Sequence, residues 1–268
     1  MNRLIKLPIT SLTKAIEYVG RRTIKFVTSA GSLGLFTSSF SKQLFKRPFH
    51  FKLILKQAEI LGVNSLPIVL LTSFFTGAVL ALQAYHGFTN KALADATLGS
   101  LVALSILREL GPVLAGLMVS GRVGAAIAAE IGTMKVSEQI DAMITLATNP
   151  IKYLVVPRVL ACCLMVPILV IIADVIGILG GYLVSTMMLD INAVSYLQSS
   201  FSNVQFDDIS IGIIKAIAFG FIIGTIGCYQ GMKTESGAEG VGRSTTTAVV
   251  YSSVLIFVAD YLITAFLF

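Results

Sequence analysis

The sequence contains few of the residues from which catalytic and metal sites are built. Of its 268 residues, 13% are charged, three are cysteine, two are histidine and none is tryptophan. Cys162, Cys163 and Cys228 lie in apolar runs, and His50 and His86 are far apart. This spacing predicts neither a disulfide framework nor a metal site. No Ser-His-Asp, Cys-His or paired-carboxylate pattern indicates catalysis, and no cofactor is expected.

Apolar residues dominate the composition at 55%. Several apolar runs reach the ~20 residues that a helix needs to cross a bilayer. The sequence therefore predicts an all-α polytopic membrane protein, with a permease transmembrane domain over residues 51–268. The five predicted spans cover about residues 61–85, 96–121, 159–188, 209–230 and 246–268.

Positive charge is concentrated before the first span. Eleven of the twenty lysines and arginines lie in residues 1–62, and the net charge of the chain is +6. Apolar residues interleave with them, which disfavours a nucleic-acid-binding arm and predicts a basic amphipathic segment over residues 1–50, lying at the headgroups. A solvated basic tail is the alternative for residues 1–25. Residues 26–40 are predicted to form an interfacial or re-entrant elbow, with a sixth span as the alternative.

The charges of the loops predict the orientation. Lysine and arginine follow the second and fourth spans, whereas aspartates predominate after the first and third. The positive-inside rule then places the N-terminus in the cytoplasm and the C-terminus on the far side.

Small residues recur every four positions in two spans. In the second span and its extension they are Gly116, Ser120, Gly124, Ala128 and Gly132, and in the fourth they are Gly212, Ala216, Gly220 and Gly224. Such stripes allow close helix contact. Packing within the chain is favoured, and self-association of two chains is the alternative.

Two charged neighbours, Arg108 and Glu109, lie near the middle of the second predicted span, just before Gly111 and Pro112. Charges at that depth are costly and are usually buried in protein or face water. Neighbouring side chains on a helix diverge, so each needs a further partner. Candidate partners in other spans are Lys215, Asp174 and Asp260. Pro112 is expected to break the helix and free the carbonyl of Arg108. A polar site on a transport path is favoured over a purely structural ion network.

Residues 133–148 combine an apolar side with a polar side at helical spacing, after which Asn149 and Pro150 end the pattern. They predict an amphipathic helix on the cytoplasmic side, with Ser137 as a possible cap. A binding site for a soluble partner and an ordinary interfacial connector both fit this pattern.

The segment from Gly237 to Ser244, GAEGVGRS, has the spacing of a phosphate-binding loop, with Arg243 where lysine belongs. A working loop of this kind follows a strand in a nucleotide-binding domain. Here it follows a predicted membrane helix, so nucleotide binding is not expected.

The stretch LVALSILRELGPVLAGLMVSGRVGAAIAAEIGTMKVSEQIDAM closely resembles the MlaE-type (YrbE-like) permease family, the membrane subunits of MCE-associated ABC lipid transporters. LALQAYHG, GVGRSTTTAVVYSS and DYLITAFLF extend the similarity over about residues 50–268. The resemblance implies a permease that moves glycerophospholipids between the inner and outer membranes and supports outer-membrane lipid asymmetry. A plastid lipid-import permease is the alternative within the family.

The resemblance also implies partners and site residues. The implied partners are a second permease copy, a cytoplasmic ABC ATPase that hydrolyses ATP, a periplasmic MCE-domain protein and a STAS-domain protein, and the implied location is the cell inner membrane. The candidates for the lipid path or its polar network are Gln83, Tyr85, Arg108, Glu109 and Lys215. The candidates for ATPase coupling are Glu130, Lys135, Glu138 and Asp141.

Two other classes of protein fit parts of the pattern. A secondary transporter or channel would explain the intramembrane charges but not the resemblance of the 133–148 segment. A lipid-modifying enzyme would need a nucleophile or a metal site, and the sequence indicates neither.

Overall fold

The computed structural model describes residues 6–44, 51–235 and 237–267. The chain divides into two units, Met1–Arg47 and Pro48–Phe268. Every regular element in the described ranges is helical, and these ranges contain no strand. The all-α fold class is confirmed.

The described residues of the first unit form one helix, α1 (Lys6–Leu44). The helix is continuous through residues 26–40, so the prediction of a re-entrant turn there is wrong, whereas an interfacial helix stays a prediction. Along its first half, Lys14, Arg21 and Lys25 are exposed together with Ile16 and Val19. Exposed basic and apolar residues on one helix are typical of a segment at a lipid headgroup surface, and that location stays a prediction.

The second unit is built from ten helices within the described ranges, joined by short turns. In chain order they are α2 (Phe51–Val63), α3 (Leu66–Gly87), α4 (Lys91–Ser105), α5 (Gly111–Val119), α6 (Ala125–Val136), α7 (Gln139–Thr145), α8 (Val156–Met187), α9 (Ala193–Ser202), α10 (Phe206–Met232) and α11 (Gly237–Leu267). Three π-helical turns, Ile106–Leu110, Ser120–Gly124 and Ile151–Val155, connect some of them without interrupting the helical path.

Five helical segments of the described chain are long and apolar enough to cross a membrane, as predicted. They are Leu66–Gly87, Leu93–Val136, Ile151–Met187, Phe206–Met232 and Gly237–Leu267. The second runs 15 residues beyond its predicted end at residue 121, because the π turns let α4, α5 and α6 continue as one helix. The phosphate-loop-like segment from Gly237 to Ser244 forms the first turns of α11, and no strand precedes it within the described residues.

The predicted break at Gly111 and Pro112 is replaced by a π turn. The backbone N–H of Gly111 donates to the carbonyl of Ile106, five residues earlier. A proline lacks the N–H for a helical hydrogen bond and its ring crowds the carbonyl four residues before it. The wider turn accommodates Pro112 while the helix continues, because it shifts the hydrogen-bonding register by one residue.

Both small-residue stripes pack within the chain, which confirms the favoured interpretation. A Cβ atom at Gly116 would lie 3.1 Å from the ring of Phe219 on α10, so the two helices are already in close contact. At Gly220 a Cβ would lie 2.5 Å from the carbonyl oxygen of Cys162 on α8. Backbone this close leaves no room for a side chain, so the stripes fix the separation of α5, α8 and α10.

The loops lie in two groups, one at each end of the helices, as expected if the spans cross the membrane in alternating directions. At one end, Thr234 after α10 donates a 3.0 Å hydrogen bond to Ser244 of α11, close to Gly132 of α6. At the other end, Ser195 of α9 donates a 3.0 Å hydrogen bond to the carbonyl of Asp95 in α4. We refer to these as the α7 end and the α9 end. That the α7 end faces the cytoplasm stays a prediction.

The structure differs from the prediction of one helix over residues 133–148. Helix α6 ends at Val136, and α7 covers only Gln139–Thr145. Between them Glu138 has a left-handed backbone with φ 58°. Ser137 does not cap α7, because its hydroxyl donates to the carbonyl of Thr133 in the preceding turn. This side-chain bond and the left-handed residue end α6 before α7 begins.

Candidate functional site

Lys215 is a fully buried lysine at the junction of three spans. Its side chain lies on α10 with 0% exposure. The ammonium nitrogen donates to Glu109 Oε2 at 2.7 Å and lies 2.8 Å from Asp260 Oδ1 on α11. It also donates to the backbone carbonyl of Arg108 at 3.0 Å. Three oxygen atoms from two other spans therefore surround one buried ammonium group, which satisfies the need of a buried charge for partners.

The π turn and Pro112 provide one of those three oxygens. The missing N–H of Pro112 would be the ordinary helical donor to the carbonyl of Arg108. Lys215 donates to this carbonyl instead. The predicted release of this carbonyl is therefore confirmed, although the helix does not break.

Glu109 connects the second span to both α10 and α11. Its Oε2 accepts from Lys215, and its Oε1 accepts a 3.2 Å hydrogen bond from the hydroxyl of Thr264. The Glu109 side chain is 41% exposed, in contrast to the buried lysine that it neutralises. Glu109 thus holds the three helices together through its hydrogen bonds, and part of its side chain is also accessible from outside the packed helices.

Arg108 reaches in another direction, toward the start of α10. Its Nε donates to Asp208 Oδ1 at 2.6 Å, and the Asp208 side chain is only 3% exposed while that of Arg108 is 38% exposed. Sequence reasoning missed Asp208 because it assigned this residue to a loop. The one signal that it carried is the Gln205-to-Asp208 spacing of a capping box, which is weak in sequence alone.

An open cavity of about 400 Å³ lies beside these groups. Its lining residues are Leu104, Ser105, Arg108, Glu109 and Thr264. The cavity therefore combines an apolar wall with a guanidinium, a carboxylate and two hydroxyl groups. This combination suits a ligand that has a polar, charged part and an apolar part.

The cavity lies nearer to the α9 end than the sequence suggested. Arg108 is 15 residues from Leu93 but 28 residues from Val136, the two ends of its span. Its partner Asp208 is the third residue of α10. Arg108 therefore lies off the middle of the whole helical segment, because the helix extends well beyond its apolar run at the α7 end, and its depth within the membrane stays a prediction.

The described lining of this cavity does not include Gln83 or Tyr85. Gln83 is exposed on α3. Tyr85 packs against a buried cluster that contains Leu98, Ile106 and Tyr196. Burial raises the pKa of Tyr196, so its hydroxyl stays a neutral donor to the carbonyl of Ile178. Participation of Gln83 and Tyr85 in a lipid path stays a prediction.

Asp174, a predicted partner of the intramembrane charges, is not part of the ion network. It lies on α8 and is 7% exposed. Its Oδ1 has no hydrogen-bond partner among the described residues, and a Cβ at Gly111 would lie 1.7 Å from it. The carboxyl group is therefore packed against the backbone that follows the π turn, without a cation beside it in the described part of the chain.

Two ion pairs lie at the α7 end. The buried guanidinium of Arg158 donates from Nη2 to Glu130 at 2.7 Å and from Nη1 to the carbonyl of Leu154 at 3.0 Å. Lys135 donates to both carboxylate oxygens of Asp141, at 2.9 and 3.1 Å. The first pair joins α6 to the start of α8, and the second joins α6 to α7.

The four predicted coupling residues thus occupy different settings. Glu130 is 57% exposed but bound to Arg158, and Lys135 and Asp141 bind each other. Glu138 is exposed at the left-handed turn between α6 and α7. Glu138 and Asp141 are both exposed, but Asp141 is bound to Lys135.

Comparison with known proteins relates the chain to membrane permeases. Residues 54–266 match the family described as Permease MlaE. A probable ABC transporter permease protein of Rickettsia felis is 53% identical over 250 residues, which cover 93% of this chain and 96% of that protein. The intermembrane phospholipid transport system permease protein MlaE of Haemophilus influenzae is 37% identical over 256 residues, covering 94% and 97%. The chloroplastic protein TRIGALACTOSYLDIACYLGLYCEROL 1 of Arabidopsis thaliana is 38% identical over 244 residues, covering 91% and 69%.

The contrast between Asp174 and Asp260 yields a prediction about stability. We expect Asp174→Asn to lower the free energy of unfolding by about 1 kcal/mol or less, because no cation loses a partner. Asp260→Asn should cost about 1.5–3 kcal/mol, because it removes a charged partner of the buried Lys215. The melting temperatures of both variants in the same detergent measure the difference. An equal loss in the two variants would contradict the assignment of Asp174 outside the network.

Proposed function

The chain belongs to the MlaE permease family, and from this premise we propose that it is the permease subunit of an ABC transporter for glycerophospholipids. The transporter moves these lipids between the inner and outer membranes and so supports outer-membrane lipid asymmetry. The phospholipid transport named for the Haemophilus influenzae relative supports this substrate.

The cavity beside Arg108 and Glu109 is the observation that supports this function most directly. Its guanidinium can bind a phosphate oxygen, since arginine is the cation best suited to phosphate geometry. Leu104 provides an apolar wall next to it. A phospholipid has the complementary pair of features at the membrane boundary. Its phosphate would face the guanidinium, and the start of its acyl chains would face the apolar wall.

The size of the cavity supports assembly with a second copy of the chain. About 400 Å³ lies within the ~300–1,000 Å³ typical of pockets for drug-sized ligands. It holds a headgroup more readily than two long acyl chains. A homodimer would place two such openings on one larger path, and the acyl chains would lie between the subunits.

The position of the cavity supports delivery of lipid to partners on the far side of the membrane. It lies toward the α9 end, which the positive-inside rule assigns to the periplasm. An MCE-domain protein on that side would receive or supply the lipid. The N-terminus and a cytoplasmic ATPase, with a STAS-domain protein, belong to the opposite side of the inner membrane.

The α7 end has the features of a contact for the ATPase. Helix α7 is short, and the ion pair of Lys135 with Asp141 connects it firmly to α6. The pair of Arg158 with Glu130 connects α6 to α8 in turn. A displacement of α7 by an ATPase would therefore reach two of the five spans through charged contacts. The permease itself carries no catalytic function in this proposal.

A plastid-type lipid import permease is the second candidate. The similarity to the Arabidopsis thaliana protein favours it, but that protein is covered over 69% of its length, whereas the bacterial relatives are covered almost completely. The bacterial function is therefore preferred. A secondary transporter or channel would leave the ABC permease relatives unexplained.

The function is tested by Glu109→Gln, which keeps the shape of the side chain and removes its charge. We expect ATP-dependent transfer of labelled phosphatidylglycerol between vesicles to fall about tenfold, because a neutral amide binds Lys215 less strongly than a carboxylate does. The melting temperature of the assembled complex should fall less than that of Asp260→Asn, since the Glu109 side chain is 41% exposed and that of Asp260 only 19%.

The matched control is Glu239→Gln, the same change at an exposed position in the first turn of α11. It should leave transfer unchanged. If the Glu109 variant transfers lipid at the normal rate, the site has no role in transport. If its transfer falls and its melting temperature falls as far as that of Asp260→Asn, the network has a structural role only.

The coupling surface is tested by Glu138→Lys. Glu138 is exposed at the α6–α7 turn, so a reversed charge should oppose the field of a complementary partner without disturbing packing. We expect the variant to enter the membrane normally but to retain about tenfold less ATPase on co-purification. The control Glu239→Lys changes the same charge at the same end of the molecule. Equal ATPase retention in both variants would argue against this surface.

A further inference from the structure

Asp208 is nearly inaccessible, and both of its carboxylate oxygens are engaged. Oδ1 accepts from Arg108 Nε at 2.6 Å, and Oδ2 accepts from the backbone N–H of Gln205 at 2.9 Å. The second contact is half of a capping box at the start of α10. The helix N-terminus also favours a negative group at this position. Asp208 is therefore held in place by the backbone of α10, independently of Arg108.

Arg108 is the opposite kind of group, a long flexible side chain that lines the open cavity. A free arginine loses side-chain entropy when it binds a ligand, which weakens the binding. A fixed carboxylate at Nε restricts the guanidinium before any ligand arrives.

We propose that Asp208 is a positioning residue, which holds the Arg108 guanidinium at the cavity so that it can bind the phosphate of a phospholipid. This inference rests on the proposed lipid transport and adds a residue that acts through Arg108. Asp208 itself is 3% exposed and makes no contact with the lipid.

The same contact links the headgroup site to the turn between α9 and α10. Gln205 precedes α10 directly, and its backbone binds the carboxylate that binds Arg108. The position of Asp208 therefore depends on the backbone of this turn as well as on Arg108.

The test compares Asp208→Asn with Asp207→Asn in the assembled transporter. An asparagine at 208 can still accept from Gln205 through its amide oxygen, but its NH₂ group then faces Arg108 and cannot accept from Nε. The control removes the same charge from the neighbouring, exposed residue of the same helical turn. Any general effect of charge on the helix N-terminus is therefore common to both variants.

The readout is binding of phosphatidylglycerol relative to diacylglycerol with the same acyl chains, which lacks the phosphate. We expect Asp208→Asn to weaken phosphatidylglycerol binding about tenfold and to leave diacylglycerol binding unchanged, whereas Asp207→Asn changes neither. A purely structural role of Asp208 would lower the binding of both lipids together with the melting temperature. Equal binding in the two variants would also overturn the proposal.

A double-mutant cycle with Arg108→Met tests whether Asp208 acts through Arg108. Methionine is unbranched like arginine but has no N–H donor, so neither the fixed carboxylate nor a phosphate has a partner at this position. In this background Asp208→Asn should change phosphatidylglycerol binding less than twofold, because the interaction is already lost. An undiminished effect would show that Asp208 acts by another route and would contradict the positioning role.

Failure of the inference and failure of the proposed function give different results. If Glu109→Gln abolishes transfer while the Asp208 and Asp207 variants bind lipid equally, the transport function stands and the positioning role falls. If the intact transporter does not prefer phosphatidylglycerol to diacylglycerol, the phosphate site itself is wrong. Displacement of the lipid by sn-glycerol 3-phosphate alone would assign the cavity to a soluble phosphate and overturn the lipid assignment.

Discussion

The placement of one ammonium group determines how three spans meet. Lys215 has 0% exposure, and in an apolar surrounding it requires oxygen atoms close by. Glu109, Asp260 and the carbonyl of Arg108 provide them from the second and fifth spans. Separating these helices would leave the buried ammonium group without its carboxylates, so the three helices are held in one register. The accessible side of Glu109 and the neighbouring cavity depend on that register.

Two backbone features make the cluster possible. Pro112 and the π turn before it leave a carbonyl for Lys215, where a regular helix would already have used it. Glycines then allow the helices to approach: a Cβ at Gly212 would lie 2.7 Å from the carbonyl of Leu107. The polar cluster and the small-residue stripes are therefore parts of one arrangement, in which close packing brings α10 to the widened turn.

The spans and the centre of the site could be predicted because a buried charge must find a partner in another apolar run, and Lys215 and Asp260 are such charges. The partner of Arg108 could not be predicted, because Asp208 lies before the apolar run of the fourth span and so resembles a loop residue. The structure shows that α10 already begins at Phe206. Helix ends are poorly encoded by hydrophobic periodicity. The same limit applies to Glu138, whose left-handed backbone depends on how α6 ends. Asp174 shows the opposite error: it is predicted as a partner of the intramembrane charges, but it is a buried acid that packs against Gly111 outside the network.

The central claim is that the Lys215 cluster shapes a cavity in which Arg108 binds the phosphate of a lipid. A density map of the assembled transporter in phospholipid nanodiscs tests this most directly. The account predicts phosphate density about 2.7–3.2 Å from the Arg108 guanidinium, with the contact between Arg108 and Asp208 intact. A map with bound lipid elsewhere, and with Arg108 turned away from an empty cavity, would contradict it.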